Sequence, residues 1–318
     1  MPDVADRLRA LFAPHGCTLW LHAREVGGDR EIAVDPDEAV VTSSVFKIWV
    51  ALEFHRQVAA GRVEPERRVR VPAADRTPGP TGLSALADDV EMSLRDLATQ
   101  MMVVSDHAAT DTVLAAIGGP DAVTGTLAAL GLSGTRLTGD TRAMLDSLAA
   151  SAGYPGWRAI QKVDPADVDP AEMTAMQRGI VDADEFDPDR ATAVSTPRET
   201  TTLLDLIWRD AAGPDPACAA VRDVMGRQLG RARIASGFDP DGAGVLVAGK
   251  TGSLMGVVRN EAAVVRMPDG RAYAVAVYTR AAESRPGPGP VDGLIGRAAR
   301  LAVDHLGATP VRAVPFRP

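Results

Sequence analysis

The first thirteen residues, M-P-D-V-A-D-R-L-R-A-L-F-A, set charged residues among apolar ones at helical spacing, which predicts a short amphipathic helix over residues 4–13. C-T-L-W-L-H-A and E-I-A-V, either side of E-V-G-G-D-R, then read as a β-hairpin. From Ser44 the pattern changes. V-F-K-I-W-V-A-L-E-F-H-R-Q-V-A-A-G is nearly continuous in apolar content and ends at Gly61, as a buried helix does. S-L-R-D-L-A-T-Q-M-M-V-V-S-D-H-A-A-T-D-T-V-L-A-A-I-G-G predicts further helix, from an N-cap at Ser93 to a stop at Gly118-Gly119. Between Asp164 and Pro197 the chain turns Asp- and Pro-rich, which predicts a long surface loop with room for one short helix.

Beyond Pro197, R-E-T-T-T-L-L-D-L-I-W-R and A-C-A-A-V-R-D-V-M-G-R-Q-L are helical in pattern. Then the period shortens to two. V-L-V-A-G-K, V-V-R-N-E-A-A-V-V-R-M and A-Y-A-V-A-V-Y-T-R predict three strands, the last two joined at P-D-G, and V-D-G-L-I-G-R-A-A-R-L-A-V-D-H-L predicts a closing helix. The order strands, helices, strands implies an α+β fold: an antiparallel sheet of about five strands, flanked by N- and C-terminal helices, with an inserted all-α domain. The corresponding division is residues 1–47 and 198–318 for the sheet domain and 48–197 for the insertion, including its long omega-type loop.

Composition narrows the function classes. The 318 residues are 46% hydrophobic, enough for a substantial core, and the net charge of −8 is spread without a single-sign block, which argues against nucleic acid as a partner. No apolar run reaches the roughly 18–20 residues of a membrane span, and the N-terminus lacks a signal-peptide pattern, so a cytoplasmic protein off the membrane is expected. Cys17 and Cys218 are too few for a disulfide framework and read as buried free thiols. The five histidines form no H-E-x-x-H pair, so no metal is expected.

The candidate chemistry begins at T-S-S-V-F-K, where Ser44 and Lys47 stand three residues apart at a helix start. Residues i and i+3 share a helix face, so hydroxyl and amine can meet beside the free N–H groups of the first turn. Taken alone, the pair is read more simply as an N-cap serine and a lysine reaching for water. Two further motifs change that reading: S-D-H at Ser105-Asp106-His107, and K-T-G-S from Lys250 to Ser253 at the end of a strand. With their flanks G-P-T-G-L-S-A-L, V-M-G-R-Q-L-G-R-A-R-I-A-S-G-F, G-V-V-R-N-E-A-A-V-V and S-T-P-R-E-T-T-T-L-L-D-L, they resemble class A β-lactamases and penicillin-binding proteins over nearly the whole chain.

That resemblance implies a serine hydrolase acylated at Ser44 by a β-lactam or a related amide or ester, with no cofactor. It implies Lys47 as base, Ser105 as proton relay and Lys250 as the group holding that relay. The N–H groups of Ser44 and Ser253 would form the oxyanion hole. Thr251, Ser253 and Arg259 would grip a substrate carboxylate, the lesser alternative for Arg259 being a solvated strand residue. The expected partner is a small molecule, with no nucleic acid and no membrane, and the chain is expected to be a monomer. Two departures stand out. The family's W-E-P-x-L-N-type stretch, whose glutamate activates the deacylating water, is absent. Asp140 lies nearest its place as a possible deacylation base, or as a residue ending a turn; Glu172, Asp182, Asp184 and Glu185 are further candidates. His107 replaces the usual asparagine and could bind a different acyl group, act as a base or simply pack. An esterase or acyltransferase, and a β-lactam sensor without turnover, remain alternative functions.

Overall fold

In the computed structural model, which describes residues 3–164, 168–238, 244–284, 287 and 289–308, both ends of the chain build one sheet. Helix α1 (Val4–Phe12) leads into β1 (Cys17–Glu25) and β2 (Glu31–Val34). The short β3 (Val40–Val41) precedes a 3-10 turn at Ser43–Phe46, and helix α2 (Lys47–Ala59) follows directly. The insertion holds β4 (Arg68–Val71), β5 (Val90–Ser93), α3 (Leu94–Val103), α4 (His107–Ala116), α5 (Gly119–Ala129) and β6 (Arg136–Leu137). It continues through α6 (Thr141–Ser151), α7 (Trp157–Ile160), α8 (Pro170–Val181) and β7 (Ala193–Ser195). Helices α9 (Pro197–Trp208) and α10 (Asp215–Gly226) return the chain to β8 (Leu246–Leu254), β9 (Val258–Arg266), β10 (Ala272–Ala281) and α11 (Pro290–Gly307).

The antiparallel five-stranded sheet runs β2-β1-β10-β9-β8, which puts β8 at one edge. Both faces are covered, which explains why every residue of β9 but the last is buried, Arg259, Asn260 and Glu261 included. Ala263 and Val265 join a core with Leu8, Phe12 and the inner face of α11. Ala262 and Val264 face the other way, into the larger core around Trp49, Phe54 and Met101. Cys17 and Cys218 are buried thiols that donate to His15 O and Gly213 O. No helix among the described residues is long and apolar enough to cross a membrane.

Local structure departs from the sequence pattern in three places. The helical stretch expected from Ser93 to Gly118 is broken at Val104–Asp106, so S-D-H sits in a joint between α3 and α4. Ser44 lies in the 3-10 turn and not in α2 itself. The Asp- and Pro-rich segment contains the twelve-residue α8, started by Asp169 accepting from Ala171 N with a proline in the first turn. α8 buries no residue, so no apolar stripe marked it in the sequence. Residues 165–167 of that segment lie outside the described residues. The insertion also carries the β4–β5 ladder beside its helices, and its β6 and β7 form a second small ladder with β3.

Candidate active site

Strand periodicity decides what meets the Ser44 turn. Ala248 and Leu254 of β8 pack into the larger core, so Lys250 and Gly252, at even spacing from them, point to that same face. A Cβ on Gly252 would lie 2.6 Å from Thr42 O and 3.2 Å from Ser44 N, so only glycine lets the strand approach this closely. Three hydrogen bonds lock the turn to the sheet. Asn260 Nδ2 donates to Val41 O (2.9 Å) and Thr42 O (3.2 Å), and Ser43 Oγ donates to Ser253 O (2.8 Å). Thr251 N donates to Gln228 Oε1, away from β9, and alternation along the strand turns Ser253 N–H outward on the same open edge. The turn that carries Ser44 N is thereby held against the end of β8 that carries Ser253.

Lys47 opens α2 and is fully buried. Its Nζ donates to Ser105 O at 2.7 Å and to Ser105 Oγ at 3.1 Å. Burial draws its pKa down to about 7, against the opposing pull of the Asp111 and Asp106 carboxylates. A neutral amine has two N–H donors and one lone pair. With both donors engaged by Ser105, the lone pair is the part left to take a proton. Ser105 reaches this position because its backbone is left-handed, φ +62°, which is uncommon for a serine and costs about 1–2 kcal/mol. Asp106 fixes the joint: its carboxylate caps α4 through Ala109 N (3.1 Å) and accepts from Ser84 Oγ (3.1 Å) and Leu83 N.

Lys250 is equally buried and donates to Thr251 O at 3.0 Å. Burial first, then the neighbouring charge of Lys47, hold its pKa well below the ordinary lysine value. His107 opens α4, and its Nδ1 lies 2.7 Å from Pro78 O. Burial and the charges of Lys47 and Lys250 depress its pKa to about 3, so the ring is neutral at physiological pH.

At the far end of the cleft, Ser253 pairs with Arg259 across the β8–β9 ladder. The two residues, with Met255 and with Gln177 and Ile180 of α8, line a cavity of about 760 Å³. Arg259 is buried and held by Asp292 Oδ2 (3.2 Å) and Gly287 O, so it is no solvated strand residue. Asp292 also binds Arg233 Nε at 2.7 Å, and Arg233 Nη2 donates to Ser253 Oγ at 2.5 Å. One carboxylate thus faces two guanidinium groups, one of which reaches Ser253 Oγ.

Sequence comparison matches residues 3–306 to the beta-lactamase enzyme family. The chain belongs to that family. It is 28% identical to the beta-lactamase regulatory protein BlaB of Streptomyces cacaoi, over 94% of this chain and 96% of that one. It is 24% identical to a beta-lactamase of Streptomyces albus G, over 96% of this chain and 85% of that one. The crystal structure of a beta-lactamase from Sphaerobacter thermophilus superposes with a TM-score of 0.74 at 25% identity, covering 96% of this chain and 97% of the other.

Among the described residues, none of the sequence candidates for the deacylating carboxylate hydrogen-bonds Ser44 or Lys47. Asp140 Oδ1 accepts from Ala143 N at 2.8 Å and caps α6. Asp111, which acts on Lys47 through its charge, accepts from Thr141 N (2.8 Å), Arg142 N (3.1 Å) and Thr77 Oγ1 (2.6 Å). Glu185 is buried, accepts from Thr192 N and Oγ1 at 2.9 Å each, and has its pKa pushed up to about 7 by burial. Asp184 pairs with Arg190 on the surface, Glu172 lies in the exposed first turn of α8, and Asp182 ends that helix. Arg233, Asp292, Asn260 and Gln228 escaped the sequence reading. The contacts Arg233–Ser253, Arg233–Asp292, Asn260–Val41 and Gln228–Thr251 span 20 to 219 residues, so no local spacing could have flagged them.

Proposed function

We propose that this protein is a serine acyl-transfer enzyme of the hydrolase type, taking a β-lactam or a related amide or ester that carries a carboxylate. The observation that carries this reading is Lys47: buried, with its N–H groups spent on Ser105 and a pKa of about 7. In acylation, Ser44 Oγ bonds to the substrate carbonyl carbon as its proton passes to Lys47 Nζ. The developing oxyanion is held by the Ser44 and Ser253 N–H groups, donors of a kind worth about 2.7–4 kcal/mol each in other enzymes. The carbonyl carbon's bond to nitrogen or oxygen then breaks, and Ser105 Oγ passes a proton from Lys47 to the leaving atom. Water then bonds to the ester carbon as its proton passes to Lys47, the bond from that carbon to Ser44 Oγ breaks, and Lys47 gives the proton to Ser44 Oγ. The pair of arginines about Asp292 supplies the charge that Thr251 and Ser253 need to hold a carboxylate.

A second reading is favoured by the carboxylates. Those near Lys47 are occupied as caps or as acceptors of backbone N–H groups, which supports a long-lived acyl-enzyme, as a sensor would need. One incubation separates the readings: a penicillin, a chromogenic cephalosporin and a short-chain nitrophenyl ester, with turnover and intact mass followed together. Cephalosporin turnover supports the β-lactamase, ester turnover alone the esterase, and a persistent adduct the sensor. Ser44→Ala should abolish all labelling, and labelling that survives it would remove Ser44 as nucleophile.

A further inference from the structure

Away from the catalytic cleft, the first half of β8 opens onto a second cavity. Leu246 pairs with Arg266 and Ala248 with Val264 across the β8–β9 ladder, so these four side chains share one face of the sheet. With Trp208 at the end of α9 and Gly226 at the end of α10, they line a space of about 560 Å³. There is room at Gly226, where a Cβ would meet nothing within 4 Å. Leu246 and Ser253 lie at opposite ends of β8, about 23 Å of strand apart, so this is not the carboxylate end of the cleft. The rim is basic in a chain whose net charge is −8: Arg222, Arg227, Arg231 and Arg266 all line the cavity. Asp210 pairs with Arg222 at 2.6 Å and Asp223 with Arg227 at 2.5 Å. Arg231 and Arg266 are exposed and have no carboxylate partner among the described residues, which leaves two positive charges uncompensated. The floor is apolar, with Leu246 54% exposed and Trp208 and Ala248 half-buried.

We propose that this cavity binds a small amphipathic anion: an apolar body against Leu246 and Trp208, and a doubly charged head, such as a phosphate monoester, held by Arg231 and Arg266. Exposed apolar surface rimmed by unpaired cations suits a ligand that has both characters, and a neutral or cationic one leaves the rim charges facing each other. Guanidinium groups match a phosphate head because their planar fork donates parallel N–H groups to two of its oxygens. A dianion also equals the charge that the two aspartates leave over. The site asks nothing of Ser44, so it stands or falls independently of the acyl-enzyme reading.

The test titrates 1-naphthyl phosphate, inorganic phosphate and 1-naphthol onto the full-length protein by calorimetry at low ionic strength. The naphthyl phosphate should bind about ten-fold or more tightly than either of its halves, and Arg231→Ala combined with Arg266→Ala should weaken it by about ten-fold or more. Gly226→Leu fills the cavity and leaves every charge in place, and it should weaken binding to a similar degree. Tm measured alongside separates loss of the ligand from loss of fold, and both arginines lie on the surface, where such changes are tolerated. Equal affinity for inorganic phosphate or for 1-naphthol overturns the proposal, as does no binding at all. Binding that survives both variants also overturns it, by placing the ligand elsewhere, for instance at the arginine pair beside Ser253.

Discussion

Lys47 works only if the cost of burying it is accepted by the rest of the fold. Its amine loses water on every side, and the two carboxylates that act on it are too few or too distant to restore an ordinary pKa. Acylation should therefore rise with pH and level off above about 7, read as the pH dependence of adduct formation under single-turnover conditions. The sign for stability is the same. Between the folded pKa of about 7 and the unfolded value near 10.4, the unfolded chain binds the extra proton, so this residue makes stability rise with pH across that window. Below it, the folded protein carries a buried ammonium. Lys47→Met, of similar shape and without charge, should then raise Tm at pH 6 relative to wild type while abolishing adduct formation. A Tm that falls at pH 6 would show that the contacts with Ser105 outweigh the cost of burial.

At the level of elements, the site is a meeting of three backbone specialities: the Ser44 turn, the left-handed joint at Ser105 and the glycine in β8. Gly252→Ala would drive a methyl against Thr42 O, and neither a strand edge nor a 3-10 turn locked by Asn260 can give way cheaply. The variant should lose about 1–3 kcal/mol of stability and, through displacement of the Ser44 and Ser253 N–H groups, about a hundred-fold or more in acylation rate. Chemical denaturation and labelling kinetics read the two effects separately. Helix α6 poses the opposite case. Asp140→Asn keeps an N-cap of equal quality, whereas Asp140→Ala removes it at a cost of about 1 kcal/mol. With Asp140 acting as a cap, both variants should leave the acyl-enzyme lifetime unchanged. A longer lifetime in the asparagine variant would give this carboxylate the water-activating role.

The same elements show what the sequence could reveal. Motif positions, strand alternation and the glycine end of α2 were legible because each depends on residues close in the chain. The joint at Val104–Asp106 was not, since Met101 and Met102 before it and Ala108 and Ala109 after it continue the apolar pattern straight across the break. Only the packing of Asp106 against the Leu83–Ser84 turn, over twenty residues earlier, forces the chain out of the helix there.

On the scale of the whole molecule, the substrate end of the site is built by the closing of the chain on itself. α11 covers the sheet face opposite the helical insertion, and its first turn delivers Asp292 to Arg233 and Arg259. Arg233 in turn donates to Gly252 O and Asn260 O, at 2.7 Å each, so it joins the two strands next to the nucleophile turn. Asp292 therefore does two jobs: it anchors a helix, and it neutralises one of two buried cations beside the cavity. Asp292→Asn keeps the size of the side chain and removes its charge, leaving two guanidinium groups facing each other with little water. Breaking a buried pair in this way costs about 3–5 kcal/mol, a large fraction of the stability of a typical domain, and should appear as a marked fall in Tm. The added positive charge would meanwhile strengthen attraction for a substrate carboxylate. The expected outcome is a protein of lower Tm whose adduct formation at low temperature, with a carboxylate-bearing β-lactam, saturates at a lower ligand concentration than the wild type. If saturation instead moves to higher concentration, the arginine pair is positioned by Asp292 more than it is neutralised by it, and geometry rather than charge governs the carboxylate end of the cleft.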